Sequence, residues 1–322
     1  LSQKFKDKIN DLKSAKPKNI EVNNFNIEIT NLIISQIKNI LAKYKLNKSN
    51  ISAIGYSGIT LCHRPDLKKS LYLGDPQMLS LVLSIPVISD FRQTDIDAGG
   101  QGAPLTGLFH KYLNTITNKN LIYLNLGGFA NVSIPNGSKL MSYDTGPANY
   151  LIDAWCRERF DIEFDLNGRL ASMGEIDHEV LKLMLKDKYF AKKPPKSTGF
   201  ELFNMNWIKK FLEKSLFSRD INILATLTYL TVITVSNDIN KYKNKPDSIF
   251  FYGGGAFNKL IVQGIIDLTK LKKVKSLRYG IDEKNLEATA FAWLASMRIN
   301  EVKFPKSEIT GTSKPYYLGN IY

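Results

Sequence analysis

Between residues 25 and 46, apolar side chains recur every three to four positions, at Ile29, Ile33, Ile37, Ile40, Leu41 and Tyr44. That spacing predicts an amphipathic helix with one face toward a core. The pattern then shortens. "ISAIGYSGIT" (51–60) predicts a short apolar strand breaking into a glycine turn, and "IPVISDFR" (85–92) a strand with a polar end. Residues 120–144 predict an antiparallel meander. One strand reaches Leu126 and meets Gly127-Gly128, a second runs from Phe129 to Ile134, and an Asn136-Gly137 turn leads to a third that ends at Tyr143. Residues 221–241 and 285–299 predict helices, and "SIFFYGGGAFN" (248–258) a strand emptying into glycines. Strands and helices alternate after the meander, which predicts an α/β or mixed-sheet protein of two lobes.

The composition narrows the classes. A chain of 322 residues is long enough for two domains, or one large one, with a sizeable core. No run approaches the length of a transmembrane helix, and the polar start "LSQKFKDKINDLKSAKPKN" is no secretory signal. Cys62 and Cys156 form no CxxC pair and read as free thiols of a reducing compartment, the cytoplasm. His63, His110 and His178 are dispersed, so no zinc site and no protein-built metal site is expected. The net charge of +14 raises the question of nucleic acid. The lysines are scattered over Lys4–Lys18, Lys68–Lys69, Lys186–Lys193 and Lys270–Lys275, with no nucleic-acid-binding signature among them. They read as solvated faces, and neither nucleic acid nor membrane is expected as a partner.

Three features could carry chemistry. Gly127-Gly128 and Gly253-Gly254-Gly255 each follow a strand, and "DAGGQGAP" (97–104) adds a third glycine turn. Glycines at a strand end let backbone N–H groups approach an anion, and together these turns point to a phosphate-handling cleft. There is no GxxxxGK[ST] and no GxGxxG opening a helix, so neither a P-loop nor a dinucleotide fold is indicated. The second feature is a set of carboxylates. Asp144, heading "DTGPANYLIDAW", reads either as a helix cap or Asx turn, or as a catalytic group. Glu287 opens an apolar helix and could simply complement its N-terminus. Asp90, Arg92 and Asp95 form a charged cluster after a strand, either a solvated loop or a grip on a sugar. The third is the donor-rich loop "KPPKSTGFELFN" (193–204).

In collinear order from residue 51 to the C-terminus stand "AIGYSGITLCHRP", "SDFRQTDIDAGGQGAPL", "LNLGGFANVS", "YDTGPANYLIDAW", "PPKSTGFELFN", "ATLTYLTV", "FYGGGAFN", "EATAFAWLA" and "ITGTSKPYYLG". With these the chain resembles the anhydro-N-acetylmuramic acid kinases, bacterial enzymes of cell-wall recycling. The resemblance implies a two-lobed actin/hexokinase-like (ribonuclease H-like) fold with ATP between the lobes. It implies ATP-dependent phosphorylation of 1,6-anhydro-N-acetylmuramic acid with cleavage of the anhydro ring, giving N-acetylmuramic acid 6-phosphate. It makes Asp144 the general base that activates water. Arg92, Asp95 and Glu287 become sugar-side residues. Gly127, Gly128 and Asn131 match a phosphate-binding turn, and Gly253, Gly254, Gly255 and Ala256 the glycines beside the adenosine. Mg²⁺ is implied as the ion that neutralises charge in phosphoryl transfer, and a homodimer is common in the family.

Some positions depart from the family pattern. Ser57 and Ile59 stand where His and Gln are usual, Ala148 where Gly is common, and Asn167 where Asp is common. The resemblance leads one to expect a Gly/Ser/Thr/Asp-Gly phosphate turn ahead of the matched segments, and residues 1–50 contain none. The expected domains are a first lobe over 1–117, truncated at its start and joined by 306–322, and a second over 118–305. A non-catalytic remnant that at most binds the sugar, and a kinase of another sugar, stand as alternatives.

Overall fold

A computed structural model describes residues 19–64, 67–212, 219–277 and 280–322, together with 5, 8, 9 and 12. The chain divides into two units, Leu1–Leu105 with Ala288–Tyr322, and Thr106–Glu287.

In the first unit the 3.6-residue periodicity becomes helix α1, Asn19–Lys43. Its apolar stripe serves two clusters. Phe25 and Ile29 pack with Leu61 and Leu73. Ile34 is buried with Leu79, Leu83 and Val87, with Ile37 and Leu41 alongside. Ile40 and Tyr44, expected on the buried face, belong to neither cluster and stay 50% and 63% exposed. They sit in the last turn of the helix and just beyond its end at Lys43.

Strand β1 is only Ile54–Gly55. The hairpin β2 (Ile59–Arg64) and β3 (Lys69–Leu73) follows. Helix α2, Pro76–Leu83, begins at Asp75, whose carboxylate accepts from the N–H groups of Gln77 and Met78. Then come β4 (Val87–Ser89) and α3 (Phe91–Asp97). Strand β4 pairs in parallel with β1 and antiparallel with the C-terminal β10 (Asn320–Ile321), so both chain segments of the unit meet in one mixed sheet.

The second unit opens with α4, Thr106–Thr117. The expected meander follows as β5 (Ile122–Leu126), β6 (Phe129–Asn136) and β7 (Lys139–Pro147). Helices α5 (Asn149–Phe160), α6 (His178–Met184), α7 (Lys188–Ala191), α8 (Met205–Leu212) and α9 (Asp220–Asn240) lead to β8 (Ser248–Tyr252). Helix α10 (Lys259–Thr269) and β9 (Lys272–Val274) complete the sheet, and α11 (Leu286–Ile299) carries the chain back to the first unit.

The five strands are ordered β7-β6-β5-β8-β9. The first three pair antiparallel, and β5–β8 and β8–β9 pair parallel. This is the strand order of the ribonuclease H-like fold on which actin/hexokinase-like proteins are built, and the fold class is α/β as expected. One sheet face, with Leu124, Val132, Tyr143 and Phe251, is buried in a core shared with Trp155 of α5, Leu227 of α9 and Ile265 of α10. The indole of Trp155 also donates to the Asp220 carbonyl at 2.9 Å, tying α5 to the start of α9. Among the described residues no helix is long and apolar enough to cross a membrane. Both cysteines are free thiols, and burial pushes that of Cys156 up to about 12.

The other sheet face meets α4 through a buried polar chain. His110 Nδ1 lies 2.8 Å from Ser133 Oγ, which lies 2.8 Å from Ser142 Oγ. The imidazole stacks on Tyr123 at 4.3 Å. Its Nε2 is buried without a hydrogen-bond partner among the described residues, so a second ring proton would go unsatisfied. Burial accordingly pushes the imidazole down to about 3 from its ordinary 6.5. The unfolded chain then takes up a proton below pH 6.5 that the folded chain refuses. Stability from this group is complete above pH 6.5 and falls as the solution is acidified. Over 1.5 pH units, at about 1.4 kcal/mol each, the loss between pH 6.5 and 5 is about 2 kcal/mol. Urea unfolding of the wild type and His110→Gln across that range measures it, and a difference between the two that does not change with pH would refute it.

Candidate active site

Asp144 does not precede a turn, as its Thr-Gly-Pro sequel suggests. Strand β7 continues to Pro147. Asn131 pairs with Asp144 and Ala130 with Gly146, so Thr145 is an extra residue, a bulge that keeps the strand paired through the glycine. Nor does Asp144 cap α5. The N-cap is Ala148, with no side-chain hydrogen bond. The first N–H groups of the helix go to the glycine turn: Ala148 and Tyr150 donate to the Gly128 carbonyl and Asn149 to that of Gly127. The helix-cap reading is therefore wrong, because the turn's carbonyls already satisfy those donors.

The Asp144 residue is instead held at three points. Its N–H donates to the Lys196 carbonyl at 3.1 Å, and its carbonyl accepts from the Tyr189 hydroxyl at 2.7 Å. Its half-buried carboxylate accepts through Oδ2 from the Thr198 N–H at 2.9 Å. The donor-rich loop thus serves the aspartate directly, a role its sequence left undecided.

Asp144 is the end of a row. Register pairs link Asp144 to Asn131, Asn131 to Asn125 and Asn125 to Tyr252 across β7, β6, β5 and β8. Directly paired residues project from the same face, so these four polar side chains stand in line, two positions along the strands from the His110–Ser133–Ser142 chain. Asn125 Oδ1, Asn131 Oδ1 and Thr198 Oγ1 are buried with no hydrogen-bond partner among the described residues. Such orphans are rare in folded proteins and suit a site that receives a polar ligand. Burial, chiefly, pushes the Tyr252 phenol above its ordinary range, with Glu287 and Asp144 adding to the effect. Glu287, exposed in the first turn of α11, thus shares the electrostatic surroundings of Tyr252 with Asp144. Asn125 is not singled out by the sequence, and Thr198 only as one member of the donor-rich loop. Strand alternation was the available signal for Asn125, two residues before Gly127 in "LNLGG".

The two glycine turns adjoin, because β5 and β8 are parallel neighbours and both turns follow the strands' C-terminal ends. Their glycines differ in kind. Gly253 has φ +82°, and a Cβ there would lie 2.4 Å from Asn125 Oδ1. At Gly255 it would lie 2.7 Å from the Leu126 Cβ. The fold itself demands these two. Gly127, Gly128 and Gly254 have no positive φ, and a Cβ at any of them would approach nothing closer than 3.5 Å. The chain has room for a side chain there and omits it, which suits close approach of a ligand to the backbone. Ala256 is buried in the short turn of helix Gly254–Phe257.

The charged cluster lies in the first unit. Arg92 is half-buried, and its Nη1 donates to the Gly102 carbonyl at 2.9 Å. Asp95 is fully buried, and its carboxylate accepts from Thr310 Oγ1 at 2.7 Å, the Tyr316 hydroxyl at 2.5 Å and the Gly102 N–H at 2.7 Å. Burial pushes this carboxyl above the usual range, while those hydrogen bonds and the Arg92 charge pull it back. Asp90 accepts from Asn320 and Tyr322 of the C-terminal strand. Ser57 is exposed, and Ile59 packs against the hairpin's apolar cluster, which a Gln could not join without burying its amide. No group of three or more His, Cys, Asp and Glu side chains among the described residues is placed to hold a metal ion.

Residues 1–322 match the anhydro-N-acetylmuramic acid kinase family. A kinase of that name from Sulfurovum sp. (strain NBC37-1) is 36% identical over 309 residues, 94% of this chain and 83% of its own. One from Coxiella burnetii (strain Dugway 5J108-111) is 37% identical over 290 residues, 88% of this chain and 77% of its own. One from Pseudomonas syringae pv. syringae is 34% identical over 293 residues, 90% of this chain and 80% of its own. With a family match along the whole chain and relatives at this identity, the chain belongs to the anhydro-N-acetylmuramic acid kinase family.

Proposed function

We propose that the protein is the cytoplasmic kinase that converts 1,6-anhydro-N-acetylmuramic acid and ATP to N-acetylmuramic acid 6-phosphate and ADP in peptidoglycan recycling. The observation that carries this is Asp144: a residue fixed at three points, two on its backbone and one on its carboxylate, released from helix capping, beside unpartnered buried polar atoms of Asn125, Asn131 and Thr198. A general base needs that fixity, since its geometry toward the proton it removes decides its efficiency. Asp144 takes a proton from water as the water oxygen bonds to C1 of the sugar. The C1–O6 bond breaks, and O6 takes the γ-phosphoryl group. Glu287 orients the sugar, Asn125 offers its amide to the sugar's polar groups, and Asn131 serves the phosphate side with Gly127 and Gly128. The open backbone at Gly127, Gly128 and Gly254 lets phosphate come close, with Gly253, Gly255 and Ala256 shaping the adenosine side. Arg92 is the sugar-side residue of the first unit. Mg²⁺ bound with the phosphates supplies charge neutralisation.

Incubation of the protein with MgATP and the anhydro sugar in ¹⁸O-water tests the reading. One ¹⁸O should appear at C1 of the product and none in its phosphate. Label in the phosphate, or preference for a sugar without the anhydro bridge, would overturn it.

A further inference from the structure

Two of the three ties on Asp144 come from one short irregular stretch, residues 196–198: the Lys196 carbonyl on its N–H and the Thr198 N–H on its carboxylate. Strand β7 is at the sheet edge, and this stretch runs along it. An irregular segment holds a catalytic group no better than it is itself held. We propose that a buried ion pair, Lys196 with Asp238 of α9, is the device that positions the Asp144 carboxylate. The proposal rests on the reading of Asp144 as the base.

The Lys196 and Asp238 side chains are 2% and 4% exposed, with Nζ 3.0 Å from Oδ2. The contact is close but not aligned as a hydrogen bond, for neither atom has a hydrogen-bond partner among the described residues. The ammonium also lies 5.0 Å from the centre of the Tyr189 ring, whose hydroxyl makes the third tie to Asp144. One buried charge therefore neighbours all three restraints. A buried ion pair contributes little stability relative to apolar side chains of the same volume, because desolvation offsets the attraction. What it supplies here is a fixed point: a long side chain from the loop locked to a helix in the core. Asp238 has a second partner, the half-exposed Lys241, on its other oxygen. Loss of Lys196 thus leaves no unpaired buried carboxylate, whereas loss of Asp238 alone would strand the Lys196 ammonium.

The test is steady-state kinetics of Lys196→Met, with Lys196→Met/Asp238→Asn as the variant that removes both charges should the first not fold. The expected result is a kcat at least about tenfold lower, with KM for sugar and ATP within about threefold of wild type, the signature of misplacement rather than lost binding. In an Asp144→Asn background the same substitution should change the residual rate by less than about twofold, because the pair acts through that residue. A folded variant with wild-type kcat, a full tenfold loss repeated in the Asp144→Asn background, or failure of both variants to fold would each overturn the proposal. An Asp144→Asn protein that turns over normally overturns the base assignment itself. An inactive Asp144→Asn beside a fully active Lys196→Met overturns the positioning alone.

Discussion

Asp144→Asn lowers kcat about a thousand-fold and leaves sugar affinity within about threefold. Positioned general bases contribute about 10²- to 10⁴-fold, and a thousand-fold loss corresponds to about 4 kcal/mol of barrier. The substitution is a clean one because of how the residue is held. Its N–H and carbonyl ties, to Lys196 and Tyr189, belong to the backbone and survive. The amide oxygen of Asn can still accept from the Thr198 N–H, so the side chain keeps its place and loses only its basicity. Steady-state kinetics with MgATP, together with calorimetric binding of the sugar in the presence of a non-hydrolysable ATP analogue, separates chemistry from binding. Turnover within about tenfold of wild type would refute the assignment. Unchanged chemistry with lost affinity would make Asp144 a sugar ligand.

The meander, the long α9 and the helix at the C-terminal side were legible because each has its own hydrophobic period and turn chemistry. Gly127-Gly128 and Asn136-Gly137 mark both hairpins of β5–β6–β7, and these form as expected. What composition could not reveal was the far end of β7. A Thr-Gly-Pro run after an aspartate reads as a turn, yet a bulge at Thr145 lets the strand absorb it. Pairing across strands, not local propensity, decides that outcome. The same limit hides the site's partners. Asp144, Asn131, Asn125 and Tyr252 are spread over residues 125 to 252 and meet only through register. Lys196 and Asp238 lie in a loop and a helix with no shared motif, so their pairing is a product of tertiary structure alone. The glycines were legible as a group but not by kind. Only the space around each divides those the fold requires from those that leave room for a ligand.

Asp95→Ala destabilises the first unit by about 3–5 kcal/mol, the range for removing one partner from a buried, charge-assisted hydrogen-bond network. The carboxylate joins helix α3 to the C-terminal segment. Thr310 and Tyr316 donate to one of its oxygens and the Gly102 N–H to the other. Gly100 packs so closely that a Cβ there would lie 2.2 Å from Oδ2, so no larger residue or intervening group fits on that side. Alanine would leave two hydroxyls and a backbone N–H without their acceptor in a buried space. Asparagine should cost less, about 1–2 kcal/mol, since one oxygen remains to accept while the amide opposes the Gly102 N–H. Chemical denaturation measures both, and faster proteolytic cleavage within residues 300–322 should accompany the loss, because the segment is pinned by this carboxylate. The resemblance to the kinase family assigns Asp95 to the sugar side, and the two roles separate in one experiment. A sugar ligand predicts a raised sugar KM in Asp95→Asn with an unchanged unfolding midpoint. The buried network predicts the reverse, a lowered midpoint with KM near wild type in the protein that remains folded.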